Sequence, residues 1–139
     1  DVAEYHRPYV AVWVEREDGS VAAQLSVWYD LAMRNNEGTK WLKDLRQWWR
    51  RGGRGLDMPV DGISAATRPV GRHPLRFSDA QPPLAGLAPG SYRLNVEAAR
   101  EVGGRELLQI PFTWPPRAPE RLGAQGQHEL GAVVIDLVP

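Results

Sequence analysis

Two runs rich in β-branched and aromatic residues, Tyr9-Val-Ala-Val-Trp-Val-Glu-Arg16 and Val21 to Tyr29, stand on either side of Asp18-Gly19. A turn pair of that kind between two such runs predicts a β-hairpin, because Gly accepts the positive φ that tight hairpin turns demand. In the first run the apolar residues occupy both parities, Val10, Val12 and Val14 against Tyr9, Ala11 and Trp13. Successive side chains point to opposite faces of a strand, so this strand is expected to be covered on both sides.

The periodicity then changes. Within Lys40-Trp-Leu-Lys-Asp-Leu-Arg-Gln-Trp-Trp-Arg-Arg51 the apolar residues fall at Trp41, Leu42, Leu45, Trp48 and Trp49, one stripe of an α-helix. Thr39 is placed to cap its start and Gly52-Gly53 to stop it. Residues 52–91 are dense in Gly and Pro and read as long connections, with at most a short strand near Pro74–Phe77. After the Pro89-Gly90 turn, Tyr92, Leu94, Val96 and Ala98 alternate with polar residues. Gly103-Gly104 closes a second hairpin onto Arg105–Thr113, where Leu108, Ile110 and Phe112 share one face. Trp114 through Gln127 reads as a loop, and Glu129–Val138 as a final strand with apolar residues on both faces.

Two hairpins, a closing strand and one short amphipathic helix predict a mainly β chain. The expected architecture is an antiparallel β-sandwich, immunoglobulin-like or transthyretin-like, with the helix docked on it. A parallel α/β fold would need several helical crossovers. The 139 residues suit a single domain, 1–139, and show no internal repeat or linker. With 12 Pro and 14 Gly the chain favours short elements joined by turns over long helices.

Several functions are disfavoured by composition. Lys plus Arg equals Asp plus Glu at 17 each, so no global field draws the chain to nucleic acid. The absence of Cys excludes disulfides, iron–sulfur ligation and thiol chemistry. No apolar run approaches the roughly 20 residues that span a bilayer, so the chain is not expected to be transmembrane itself. A start at Asp1 without Met is expected of a processed secretory protein, its signal peptide removed, or of a trimmed chain.

No catalytic residue or metal ligand is expected from spacing. His6, His73 and His128 are far apart, without partners at helical or strand spacing. There is no Gly-x-Ser-x-Gly elbow, and Gly52-Gly53-Arg54-Gly55 follows a helix instead of preceding one. Asp57 and Asp79 have no identifiable partner. The helix is basic, with Lys40, Lys43, Arg46, Arg50, Arg51 and Arg54 outnumbering Asp44. One reading is a solvated face over a Trp-rich core stripe; the other is a local anion site with Trp48 or Trp49 beside it to stack an aromatic ligand.

Asp61-x-x-Ser64-Ala65-Ala66-Thr67 resembles the acceptor motif of ApbE-type flavin transferases, Asp-x-x-Ser/Thr-Gly-Ala-Thr. In that family FMN is joined by its phosphate to the last Thr. The resemblance implies Thr67 as acceptor, with Asp61 and Ser64 as recognition or shaping residues. Ala65 stands where Gly is usual; a Gly needed for a left-handed backbone, or for close approach of the transferase, would make Ala65 slow the modification. Arg68 and Arg72 could offset the charge of a phosphodiester. Trp48, Trp49 and Trp28 are candidates to contact the flavin ring.

Longer phrases carry a second resemblance. Arg7-Pro-Tyr-Val-Ala-Val-Trp-Val14, Lys40 to Trp49, Ala66-Thr-Arg-Pro69 and Tyr92-Arg-Leu-x-Val-Glu-Ala-Ala-Arg-Glu101 are together similar to domain-of-unknown-function family 2271, predicted periplasmic proteins, over nearly the whole chain. That resemblance implies export, a PepSY-type membrane redox partner, a flavin transferase and covalent FMN. The expected function is an extracytoplasmic electron-transfer flavoprotein, a redox carrier more than an independent enzyme. The alternative is a cofactor-free periplasmic β-sandwich that binds a partner protein or small ligand.

Overall fold

The computed structural model describes residues 9–29, 42, 45–53, 64–66, 75–78, 83–99, 104–127, 130 and 132–139. Its elements are β1 (Tyr9–Arg16), β2 (Val21–Tyr29), α1 (Arg46–Arg51), β3 (Ser64–Ala66), β4 (Gly90–Ala99), β5 (Arg105–Trp114), β6 (Glu120–Gln125) and β7 (Ala132–Leu137). Five strands form one sheet in the order β3-β2-β1-β4-β5, and β6 pairs with β7 in a second. The fold is mainly β and consistent with the expected sandwich.

The first hairpin forms as expected. Gly19 takes φ +88°, and the Asp18 carboxylate accepts from the Ser20 amide and hydroxyl at 2.9 and 2.6 Å. Pairing of β1 with β2 slips between Val12 and Trp13 and again between Val14 and Glu15. These bulges leave Leu25 and Ala22 without a partner in the register, so β2 changes which parity it presents. Ala23 and Leu25 join one core, whereas Val27 joins the other.

All of Tyr9–Glu15 is buried, because β1 is central in its sheet and both faces are covered. On one face Val10, Val12 and Val14 pack with Leu94, Val96, Ile110, Phe112 and Leu137, and Leu122, Val133 and Ile135 of the second sheet close over them. On the other, Tyr9, Ala11, Trp13 and Val27 pack with Leu42, Leu45 and Trp48, bringing α1 onto the sheet. The layers therefore run two-stranded sheet, five-stranded sheet, helix. Tyr92, at the start of β4, donates its hydroxyl back to the Ala88 carbonyl across the Pro89-Gly90 turn. A bond of that kind resembles the tyrosine corner of immunoglobulin-like sandwiches.

Three expectations are corrected, and one lies outside the described residues. Residues 114–127 are not all loop: Glu120–Gln125 is β6, antiparallel to β7. Its pattern is weak, since Gly123 interrupts it and Leu122 and Ala124 alone supply the inward apolar row. The closing strand is shorter than 129–138 and one-sided, with Val133, Ile135 and Leu137 inward and Ala132, Val134 and Asp136 exposed. Among the described residues between 52 and the start of β4, Ser64–Ala66 forms a strand, while 75–78 have no regular structure. The described helix begins at Arg46 with Leu45 as N-cap; Thr39, the expected cap, lies outside the described residues.

β3 runs parallel to β2, with Val27, Trp28 and Tyr29 opposite Ser64, Ala65 and Ala66. Parallel neighbours cannot be joined by a tight turn and need a long crossover. Residues 30–63 provide it, and α1 lies on that crossover.

Candidate functional site

Ser64, Ala65 and Ala66, three of the seven residues of the acceptor-like segment, form the outermost strand of the five-stranded sheet as described. Ser64 is opposite Val27, a wholly buried member of the cluster beneath α1. Trp49 packs against the same cluster. Val27 thus links the two, pairing with the motif strand and packing in the cluster that α1 covers. Ala65 is in mid-strand opposite Trp28, in extended backbone that any residue adopts. A left-handed conformation is therefore not what this chain requires at that position. Thr67, Asp61 and Arg68 lie outside the described residues, as do Arg72 and the three histidines.

α1 carries no acid in its first turn and no side-chain cap of its own. Its free N–H groups are met from β4: the Glu97 carboxylate accepts from Gln47 N at 3.1 Å and Trp48 N at 2.8 Å. Arg105 of β5 donates to the same carboxylate at 2.6 Å. Glu97 is wholly buried, and its charge is matched by this guanidinium and by the positive end of the helix. Trp48 is wholly buried as well, and its indole N–H donates to Gln24 Oε1 at 2.9 Å. Trp48 is a core residue in this fold, leaving half-buried Trp49 as the described helix indole with surface to offer a ligand.

A second buried carboxylate, Glu15, sits beside Trp13. It accepts from the Trp13 indole at 3.1 Å and from Arg93 Nη2 at 3.3 Å, with Arg51 Nε 3.7 Å away. Gln47, its amide oxygen turned toward Arg51, accepts from Nη2 and Nε at 3.1 and 2.9 Å. Asn95, also wholly buried, donates to Arg93 O and accepts from Gln109 at 2.7 Å. Glu15, Asn95 and Glu97 escape a reading of the sequence, which assigns polar residues of an alternating strand to solvent. The available signal is the opposition of acids and arginines across the β1–β4 and β4–β5 pairs, Glu15 with Arg93 and Glu97 near Arg105.

A cavity of about 280 Å³ opens elsewhere, lined by Ser91, Tyr92, Phe112, Thr113, Glu120 and Leu122. It lies at β4, β5 and β6, across the sheet from β3, and its lining includes none of the residues proposed from the sequence to hold a cofactor. Among the described residues no group of three His, Cys, Asp or Glu gathers as metal ligands would, and no helix is long and apolar enough to cross a membrane.

The sequence profile of a family described as "Predicted periplasmic protein" (DUF2271) matches residues 1–132. No curated protein and no solved structure matches the chain. With nearly its whole length matched and the quoted phrases in order, the chain belongs to DUF2271, and it is an extracytoplasmic, predicted periplasmic protein.

Proposed function

We propose that the chain is an extracytoplasmic electron carrier whose FMN is joined, through its phosphate, to the Thr67 hydroxyl by a flavin transferase. The observation that carries this reading is the placing of Ser64-Ala65-Ala66 on the edge strand β3, directly before Thr67 in the chain. A Thr hydroxyl is a weak nucleophile at neutral pH, and activation has to come from a second enzyme. That enzyme must reach the segment. An edge strand suits it, because the backbone groups of such a strand can pair with another chain. The backbone at Ala65 is extended, a conformation that any residue adopts, so the departure from Gly bears on the fit of the transferase.

Asp61 and Ser64 would shape or present the acceptor, and Arg68 would balance the phosphodiester. Trp49, half-buried on α1, would contact the flavin ring. FMN, when attached, supplies the electron-transfer chemistry, and the protein sets its exposure and potential. A covalent link also keeps the cofactor from diffusing away outside the cytoplasm. A PepSY-type membrane reductase would be the redox partner.

The test is co-expression of the exported protein with a flavin transferase, followed by a denaturing gel viewed for flavin fluorescence. The wild-type band should glow, Thr67→Ala should be dark, Ser64→Ala weaker, and Ala65→Gly at least as bright as wild type. A dark wild-type band beside a labelled acceptor from the same cells would overturn the reading and leave a cofactor-free binding sandwich.

A further inference from the structure

Of the nine described arginines, Arg76 and Arg117 stand in loops, and the other seven divide into two groups. Arg16, Arg51, Arg93, Arg105 and Arg121 are engaged with the sheet and its turns, by hydrogen bonds or ion pairs with Ser20, Glu15, Glu97 and Asp136. Arg46 and Arg50 are exposed on α1 and have no hydrogen-bond or ion-pair partner among the described residues. At about 100° per residue, Arg46 and Arg50 lie on the side of the helix away from buried Trp48, and Trp49, which packs against the core cluster, lies on the flank about 60–100° from them. Trp49 is braced from below. Its ring is tilted 50° to that of Trp48 at 6.4 Å, and Trp48 is fixed by burial and by Gln24. The helix itself is moored to the sheet by Glu97 at its start and by Arg51 with Glu15 at its end. The flank of the helix thus sets a half-exposed indole beside two guanidiniums, one turn apart, that no described residue neutralises.

We infer that this flank of α1 is a binding site for a flat aromatic anion, with Trp49 stacking on the ring and Arg46 and Arg50 taking the charged group. Side chains four apart on a helix stand about 5–6 Å from each other at Cβ, a span that one phosphate or carboxylate bridges. A polyanion would want a long basic row, and the chain as a whole is neutral. The site does not depend on covalent attachment at Thr67, although a flavin held there would be of the right chemistry.

The experiment uses Thr67→Ala protein, so that covalent labelling cannot contribute. FMN is titrated in and read by flavin fluorescence anisotropy, with riboflavin as the same ring without its phosphate and inorganic phosphate as competitor. FMN should saturate, and riboflavin should bind about tenfold more weakly or worse. Arg46→Gln with Arg50→Gln should bring FMN down to the riboflavin level, and Trp49→Leu should weaken both ligands. Added salt should weaken FMN and spare riboflavin, since exposed charges are screened. Arg117→Gln removes another exposed cation lacking a described partner and should change nothing. The inference is overturned by an absence of saturable FMN binding, by equal affinity for FMN and riboflavin, by an undiminished double-arginine variant, or by phosphate competing as well as FMN.

Discussion

Gly53 lies just past the end of α1, where a Cβ would come within 2.5 Å of two carbons of the Trp48 ring. The ring has nowhere to go, because Trp48 is wholly buried and its indole N–H is committed to Gln24. Gly53→Ala is therefore expected to destabilise the protein by about 1–3 kcal/mol, the usual cost of overpacking a filled core. A lowered urea midpoint with an unchanged slope would show it; an unchanged midpoint would mean that the helix exit moves freely. From the sequence, Gly52-Gly53 is recognisable as a helix stop, and Gly52 is indeed the C-cap. The steric demand on Gly53 is not recognisable, since it arises from a ring that tertiary contacts hold in place. The same distinction applies at Ala65, where the one-letter departure from the acceptor pattern can be read but the extended backbone that tolerates it cannot.

At the scale of elements, α1 depends on a residue about 50 positions away. Replacing the Glu97 carboxylate by the amide of Gln keeps its shape but removes the charge that the helix N-terminus and Arg105 both meet. Glu97→Gln is expected to cost about 2–3 kcal/mol, as for a buried charge pair broken on one side. Because α1 would loosen first, Trp emission should shift to the red at denaturant concentrations below the main transition; a single unshifted transition would contradict this. This dependence explains why the helix boundary was poorly legible: the side chain that meets its first N–H groups comes from Glu97 of β4 and not from a neighbour in sequence. The strands were easier. Both hairpins were visible from turn chemistry and alternation, whereas β6 carries a Gly among charged residues and forms through its pairing with β7. That pairing has a pH signature. Hydrogen bonds from Arg121, then its charge, hold the Asp136 carboxyl below the usual value for an aspartate. The folded state then binds fewer protons than the unfolded one, so this contribution is complete above the unfolded pKa of about 4 and is lost as pH falls through the lower folded value. Asp136→Asn should accordingly lose less stability than wild type between about pH 5 and about pH 3, measured by urea unfolding at each pH.

Across the whole molecule the two cores share one wall. β1 contributes Val10, Val12 and Val14 to the core under the second sheet, and Tyr9, Ala11 and Trp13 to the core under α1. It is also hydrogen-bonded on both sides, to β2 and β4. Opening β1 therefore disrupts both clusters together, whereas β6–β7 lose a single ladder and β3 a three-residue one. Native-state hydrogen exchange should reflect this ordering. Backbone amides of Val10–Val14 and of Leu94–Ala98 should exchange only through global unfolding, those of β6 and β7 through a smaller opening, and those of β3 fastest among the strands. Uniform protection across all seven strands would show instead that the sheets open as one unit. The ordering matters for the proposed modification. A transferase must take the segment around Thr67 into its own active site, and it gains access at the least cost if the neighbouring strand opens without disturbing the central wall. If β3 proves as protected as β1, the acceptor segment would have to be engaged in its folded form, and the reading would then require the transferase to recognise the sheet edge as well as the motif.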